Sequence, residues 1–372
     1  MLSHSAVGPT YQILDKGLSD FGQKKLLNNR TMLLRSHAKL HFTTTKIVDN
    51  KTSCVWFKVD DRHKVCLVVE QIIANPLISI APVKRKVTSV FHPPMRETAF
   101  DRPRDFLGSR YVYAVISSRA GGLTLGVNMN PDKKCNFDCS YCEVDRRTPS
   151  KESNLDVDVM ATELRKAIGF IQSGKLVDRP LYHTLPAELL KLRHVALSGD
   201  GEPTLAANFS EAVQAVARVR ALGGFFKVVL ITNGTGLDQP SVLQGLEFLT
   251  KSDEIWIKLD GGTQALIDKV NRPDVPLEKI LSNILLVGRL RPVVIQSLFP
   301  AIHGEEPPFD EIREYCLRLK ELKAGGAQIF LVQIYSAARP RVNAEWGHLP
   351  LRVLSQIAQM VRQTTGLRAE VF

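Results

Sequence analysis

The sequence predicts an α/β protein: a partial (β/α)6 TIM-like barrel with a poorly defined N-terminal extension. Three observations predict it. From Leu123 onward, short β-branched apolar runs alternate with stretches of helical periodicity, giving six strand–helix units. The strand runs are nearly continuously apolar, as in parallel sheets covered on both faces. The polar and glycine-rich phrases of the chain fall at the C-terminal ends of those runs, where barrel chemistry sits.

Residues 1–95 hold two strand-like phrases, CVWFKVDD and KVCLVVEQIIANPLISIAPV, but no helix with a clear apolar face and no internal repeat. Lys24-Lys25 and Lys84-Arg85-Lys86 read as basic loops. Three readings stay open for this part: a small β appendage, a weakly ordered extension, or translated sequence upstream of a start at Met95. His92-Pro93-Pro94 punctuates the boundary to a barrel domain over 96–372. Residues 110–116 read as a short strand or extended lead-in, and 118–122 as a hinge into the first barrel strand at 123–128. A helix follows at 157–170, then strand 194–197 and helix 209–222, closed by Gly223-Gly224 in the C-cap position. Strand 226–231 leads to helix 242–249, and strand 254–259 to helices 264–270 and 277–290. Strand 293–299, helix 310–323, strand 329–335 and helix 351–364 complete the series. Repeated β-then-α units require parallel strands joined by right-handed crossovers.

Composition narrows the class. The 372 residues include six cysteines, three of them clustered, which fits a reducing cytosol rather than a secreted disulfide framework. The opening MLSHSAVGPTYQ lacks a signal-peptide apolar region, and the apolar run at 65–83 is broken by Glu70, Asn75 and Pro76. The expectation is a soluble, cytoplasmic protein with no membrane partner. The net charge of +11 invites a nucleic-acid reading, but its distribution weakens it. Residues 1–100 hold 15 Lys and Arg against 7 Asp and Glu, leaving 49 − 15 = 34 against 38 − 7 = 31 for the rest. The basic excess is therefore concentrated away from the cysteines.

The chemistry-bearing stretch is LTLGVNMNPDKKCNFDCSYCE, 123–143. The Asn130-Pro131-Asp132 turn follows the strand and leads into Cys135, Cys139 and Cys142, spaced C-x3-C-x2-C. Soft thiolates this close select zinc or an iron–sulfur cluster. Structural zinc sites and ferredoxin clusters take four protein ligands; three leave one metal position open to chemistry. An incomplete zinc knuckle is the competing reading of the spacing.

This motif, with Tyr141 just before the last cysteine, resembles the radical S-adenosylmethionine (radical SAM) superfamily. The resemblance implies a [4Fe–4S] cluster held by Cys135, Cys139 and Cys142. S-adenosylmethionine would chelate the open iron through its amino and carboxylate groups, with Tyr141 beside the adenine. It further implies that Gly199, Asp200, Gly201 and Glu202, in the GDGEP phrase ending the second strand, receive the amino group of S-adenosylmethionine. Glycines allow close main-chain approach, and a carboxylate accepts a charge-assisted bond from an ammonium. Asn233 and Asp260 end the third and fourth strands and are candidates for ribose or substrate contacts; ordinary turn chemistry also favours them there. Lys258 shares a strand face with Asp260. Gln296 and Ser297 form a polar pair in an apolar strand, so one of them is expected to face the cavity. Tyr335, Ser336, Arg339 and Arg341 follow the sixth strand, the arginines suiting an anionic group or a solvated rim.

The order NPDKKCNFDCSYCE, SGDGEPT, ITNG, KLDGG, NRP, QSLF and YSAARP is similar to uncharacterised iron–sulfur oxidoreductases distantly related to tRNA wyosine-forming enzymes. The resemblance covers residues 101–372, and the chain lacks the second cysteine set of those tRNA enzymes. It implies reductive cleavage of S-adenosylmethionine to a 5′-deoxyadenosyl radical. The electron comes from a reductant protein such as flavodoxin or ferredoxin, and the substrate is a small molecule or an RNA. The competing function is a zinc- or iron–sulfur-bearing RNA-binding module without that chemistry.

Overall fold

The computed structural model describes residues 106–150, 152–336 and 346–372, together with the backbone of four strands nearer the N-terminus. Those four are β1 (Gln12–Leu14), β2 (His41–Ile47), β3 (Thr52–Lys58) and β4 (Lys64–Glu70). They form an antiparallel sheet in the order β1-β4-β3-β2. Both strand-like phrases of the N-terminal region contribute to it. The boundary expected at 95/96 and the basic clusters at 24–25 and 84–86 lie outside the described residues.

The second unit begins with β5 (Val112–Ser117) and β6 (Gly122–Asn128), an antiparallel hairpin. There follow α1 (Val157–Gln172), β7 (Leu192–Ser198), α2 (Phe209–Gly223), β8 (Lys227–Thr232) and α3 (Pro240–Leu246). Next come β9 (Glu254–Lys258), α4 (Gln264–Val270), α5 (Leu277–Leu290), β10 (Val293–Leu298) and the short β11 (Ala301–Ile302). The chain closes with α6 (Phe309–Ala324), β12 (Ile329–Tyr335), β13 (Trp346–Gly347), α7 (Leu351–Thr365) and β14 (Ala369–Val371). The eight-stranded sheet runs β14-β12-β10-β9-β8-β7-β6-β5, and every pairing except β5/β6 is parallel.

The six expected barrel strands are thus present as β6, β7, β8, β9, β10 and β12. Two edges were not in the expectation as barrel strands: the hairpin partner β5, read as a short strand or extended lead-in, and β14, whose three residues are too few for a periodic signal. The overall class is a mixed α/β fold with a mostly parallel sheet, the partial TIM-like barrel expected.

Alternation along each strand sorts side chains into two environments. One face packs under the helices: Leu125, Val195, Leu230, Ile257, Ile295 and Val332 join Met160, Leu164, Val213 and Ile284 in the main core. The other face is the barrel interior, where Val229, Trp256, Val294 and Leu331 form a smaller apolar cluster with Ile231 and Phe372. Polar side chains share this inner face. His194 meets Thr124 at 3.2 Å and packs edge-on against Trp256. Burial lowers the His194 pKa to about 4, so the imidazole is neutral at physiological pH. Gly126 is required by its neighbour: a Cβ there would lie 2.0 Å from the Tyr113 ring, whose hydroxyl shares a 2.7 Å hydrogen bond with Ser198.

Candidate functional site

The loop between β6 and α1 carries Cys135, Cys139 and Cys142, all partly exposed, at the C-terminal end of the parallel strands. Backbone bonds fix it against the segment that leaves α4. Asp138 N–H donates to Asn271 O (3.0 Å), Ser140 N–H to Val270 O (2.8 Å), and Asp274 N–H to Asn136 O (3.1 Å). On the other side Asn136 is held by Asn233, whose Nδ2 donates to Asn136 Oδ1 at 2.8 Å, and by Thr235. Lys133 and Arg272, on the loop and on its dock, both take a left-handed backbone, φ 62° and 46°. Such non-glycine residues mark positions that the surrounding contacts over-determine.

Each sulfur accepts a hydrogen bond from a different source. Phe137 N–H donates to Cys135, Asn271 Nδ2 lies 3.4 Å from Cys139 Sγ, and Arg146 Nη1 lies 3.2 Å from Cys142 Sγ. Burial pushes the Cys135 thiol up and takes Cys139 to about 12. Both would be protonated at neutral pH; a bound metal's positive charge is what deprotonates such thiols.

Asp260 is the hub of the barrel mouth. It accepts from Tyr141 Oη, from Asn271 Nδ2 at 2.8 Å, from Leu298 N–H at 2.8 Å, and pairs with Lys258 Nζ at 3.0 Å. Lys258 also donates to Tyr335 Oη at 2.9 Å and lies 5.0 Å from the Tyr141 ring centroid. Burial alone would lower the Lys258 pKa, but Asp260 and Tyr335 hold it above the ordinary lysine value, so the ammonium persists. Burial and the neighbouring Asp260 charge raise the Tyr141 pKa, which keeps its hydroxyl a donor.

In the GDGEP phrase the glycines make room for protein. A Cβ on Gly201 would lie 1.8 Å from Lys134 O, and one on Gly199, where φ is +154°, 2.3 Å from Asn128 Oδ1. Glu202 N–H donates to Lys134 O at 2.9 Å, joining the phrase to the cysteine loop. Asp200 exchanges two bonds with Asn128, each 3.0 Å. The buried Glu202 carboxylate accepts from the Thr204 N–H and hydroxyl, the Thr232 hydroxyl and the Asn233 N–H. Burial raises its pKa even against those bonds.

Gln296 faces the barrel interior, donating to Gln333 at 2.9 Å in register with Lys258, whereas Ser297 points the other way, to Tyr315. Ser336 receives Leu349 N–H at 3.0 Å; Arg339 and Arg341 lie outside the described residues. Cys135, Cys139, Cys142, Tyr141 and Asp260 are therefore brought together. Gly199, Asp200, Gly201 and Glu202 reach the same loop through Lys134. Asn233 is spent on holding Asn136, and Gln296 lies deeper in the barrel. Sequence reasoning did not single out Asn128, Asn136, Arg146 or Asn271 as site residues. Asn271 opens the NRP phrase, the one available signal. A groove of about 460 Å3 opens beside Cys135, lined by Lys133, Lys134, Arg146, Ser150 and Asp274 among others.

Three cysteines on one loop at the mouth of a parallel β/α barrel are a donor set suited to a soft metal centre. Residues 129–316 match the radical SAM superfamily, half of the chain, and the chain belongs to that superfamily. Members of this enzyme superfamily use a [4Fe–4S] cluster and S-adenosylmethionine. The chain is 28% identical over 183 residues to a UPF0026 protein of Helicobacter pylori, covering 48% of this chain and 52% of that protein. It is 31% identical over 176 residues to a UPF0026 protein of Synechocystis, covering 46% and 57%. The chain thus spans about half the length of these curated relatives. Among solved structures it is similar to TYW1 with a lysine-pyruvate adduct bound (TM-score 0.46, 16% identity, 68% of this chain and 84% of that one). It is also similar to spore photoproduct lyase complexed with dinucleoside spore photoproduct (TM-score 0.44, 9% identity, 64% and 73%).

The residues present fit those cofactors. Among the described residues no three His, Cys, Asp or Glu side chains converge as ligands of a single ion. A four-iron cluster takes each thiolate on a separate iron and needs no such convergence. Asn130 Oδ1 and Asn271 Oδ1 are buried beside the loop with no hydrogen-bond partner among the described residues. Unpaired buried acceptors suit a ligand that brings N–H and O–H donors, as the ammonium, ribose and adenine of S-adenosylmethionine do.

Proposed function

We propose that the chain is a radical SAM enzyme in which Cys135, Cys139 and Cys142 hold a [4Fe–4S] cluster whose remaining iron is left for S-adenosylmethionine. The observation that supports it most is the set of three thiols on one loop, each sulfur with its own hydrogen-bond donor. Bound together, cluster and S-adenosylmethionine supply a one-electron reductive cleavage to a 5′-deoxyadenosyl radical, which takes a hydrogen atom from the substrate. Such cofactors carry the difficult chemistry, and the protein binds, orients and excludes water.

The chain's own residues divide that work. Asp260 fixes Tyr141 through its hydroxyl, presenting the ring as a wall for the adenine. Glu202 clamps Thr204, Thr232 and Asn233, which leaves the main chain of 199–201 to meet the amino group. Asn233 holds the loop through Asn136. Gln296, Gln333 and Lys258 line the interior on the substrate side. The reductant in this reading is a flavodoxin or ferredoxin type of protein, and the substrate a small molecule or an RNA. Residues 1–95 form an appended unit and 96–372 the catalytic one.

The test is anaerobic: reconstitute the full chain with iron and sulfide, reduce it, and assay S-adenosylmethionine for conversion to 5′-deoxyadenosine. Wild type should form the product and Cys139→Ala should not. Zinc bound with no cluster, or a cluster that leaves S-adenosylmethionine intact with every reductant tried, would overturn the reading.

A further inference from the structure

Two of the three thiols are contacted by side chains that donate to sulfur while also bonding a neighbouring oxygen. Arg146 lies four residues beyond Cys142 and returns its guanidinium to that sulfur, Nη1 at 3.2 Å. The same guanidinium reaches the Asp200 carbonyl through Nη2 at 3.5 Å, while its Nε is buried without a partner among the described residues. Asn271 comes from the far side of the barrel mouth, its Nδ2 3.4 Å from Cys139 Sγ and 2.8 Å from Asp260 Oδ2. Asp260 thus orients the amide so that N–H, not C=O, faces the sulfur. Among the described residues Cys135 receives a main-chain N–H, from Phe137. The donors therefore differ among the three sulfurs: a neutral backbone N–H at Cys135, an oriented amide together with the Tyr141 hydroxyl at Cys139, and a full cation at Cys142.

We propose that Arg146 and Asn271 are positioning residues that set the reduction potential of the cluster, Arg146 more strongly than Asn271. The proposal rests on the reading that these cysteines hold a cluster. Hydrogen bonds to the ligating sulfurs and net local charge both govern iron–sulfur potentials. A donor facing a thiolate stabilises the electron-rich, reduced form more than the oxidised one, so each contact raises the potential. A cation does so twice over, by its hydrogen bond and by its charge. An enzyme that must accept a low-potential electron gains from such donors because they ease the reduction, and side chains allow the value to be tuned without moving the cysteines.

The experiment is an electron-paramagnetic-resonance redox titration of the reconstituted full chain, with iron content and circular dichroism measured on every sample. Arg146→Met should cut the reduced-to-oxidised ratio at the wild-type midpoint about tenfold, a negative shift of about 59 mV for a one-electron couple. Arg146→Lys should recover part of the shift, and Asn271→Leu should shift it in the same direction by about threefold in that ratio. Arg147→Met is the control for charge alone, because Arg147 is a neighbouring, largely exposed arginine paired with Asp145. Wild-type potential in Arg146→Met at full iron content overturns the proposal, as does an equal shift in Arg147→Met. A wild-type chain that assembles no four-iron cluster instead sinks the reading beneath it.

Discussion

Gly201 lies where the cysteine loop leaves no space for a side chain. Its missing Cβ would overlap Lys134 O at 1.8 Å, and Asn130 Cβ would be 2.7 Å away. The clash is with main chain, which cannot swing aside as a flexible side chain would. Gly201→Ala should cost about 3 kcal/mol, in the upper range for single substitutions, read as a lower denaturant midpoint. It should also lower iron incorporation, because the Glu202–Lys134 bond that joins the phrase to the loop must open. An Ala variant with wild-type stability and iron content would show that the loop does not pack as described. At this scale the ligands were legible and their supports were not. Three cysteines within eight residues announce themselves in one line of sequence, whereas Asn271 meets Cys139 across a separation of 132 residues. Glu202 was legible as the carboxylate of the GDGEP phrase but not as a buried one, because its partners Thr232 and Asn233 lie at the end of the next strand and only folding brings them within reach.

Between elements, one buried carboxylate ties the outer layer to the sheet. Asp253, ahead of β9, receives Arg220 of α2 at 2.7 Å, the Val228 N–H of β8 at 2.7 Å and the Thr250 N–H at 2.7 Å. Burial alone would raise its pKa, yet these bonds, Arg220 foremost, hold it below the ordinary 3.8. The folded carboxyl therefore binds its proton more weakly than the unfolded one. Its stabilisation is complete above pH about 4 and is lost as pH falls through the lower folded value. Asp253→Asn should lose about 3 kcal/mol at pH 7, because it leaves the nearly buried Arg220 without a counter-charge. It should also flatten the acid limb of stability as pH falls below about 4, measured by denaturant titration at each pH. Parallel wild-type and variant curves would contradict this. Strand and helix order was legible because each β/α unit repeats the same apolar signature. The polar side chains inside β9 and β10 carried the finer information: Lys258 and Gln296 mark the interior face, and Ser297, one residue on, marks the opposite one.

Over the whole molecule, the parallel sheet gathers at one end what the chain scatters from residue 128 to residue 335. Cysteine loop, GDGEP phrase, Asp260 and the Tyr335 hydroxyl meet there through hydrogen bonds and the Lys258–Asp260 ion pair. No helix among the described residues is long and apolar enough to cross a membrane. The superfamily was legible because its motif is local and its order along the chain follows the strands. The substrate was not, because the proposed hydrogen abstraction would need no acid–base pair to recognise. In the proposed enzyme three cysteines hold a four-iron cluster with one iron left for S-adenosylmethionine. Mössbauer spectroscopy of the chain reconstituted with 57Fe, before and after adding S-adenosylmethionine, tests it most directly. The account predicts four irons per chain, one of which alone changes its parameters when S-adenosylmethionine is added. Four irons that all ignore it, or a centre with fewer irons, would contradict the account.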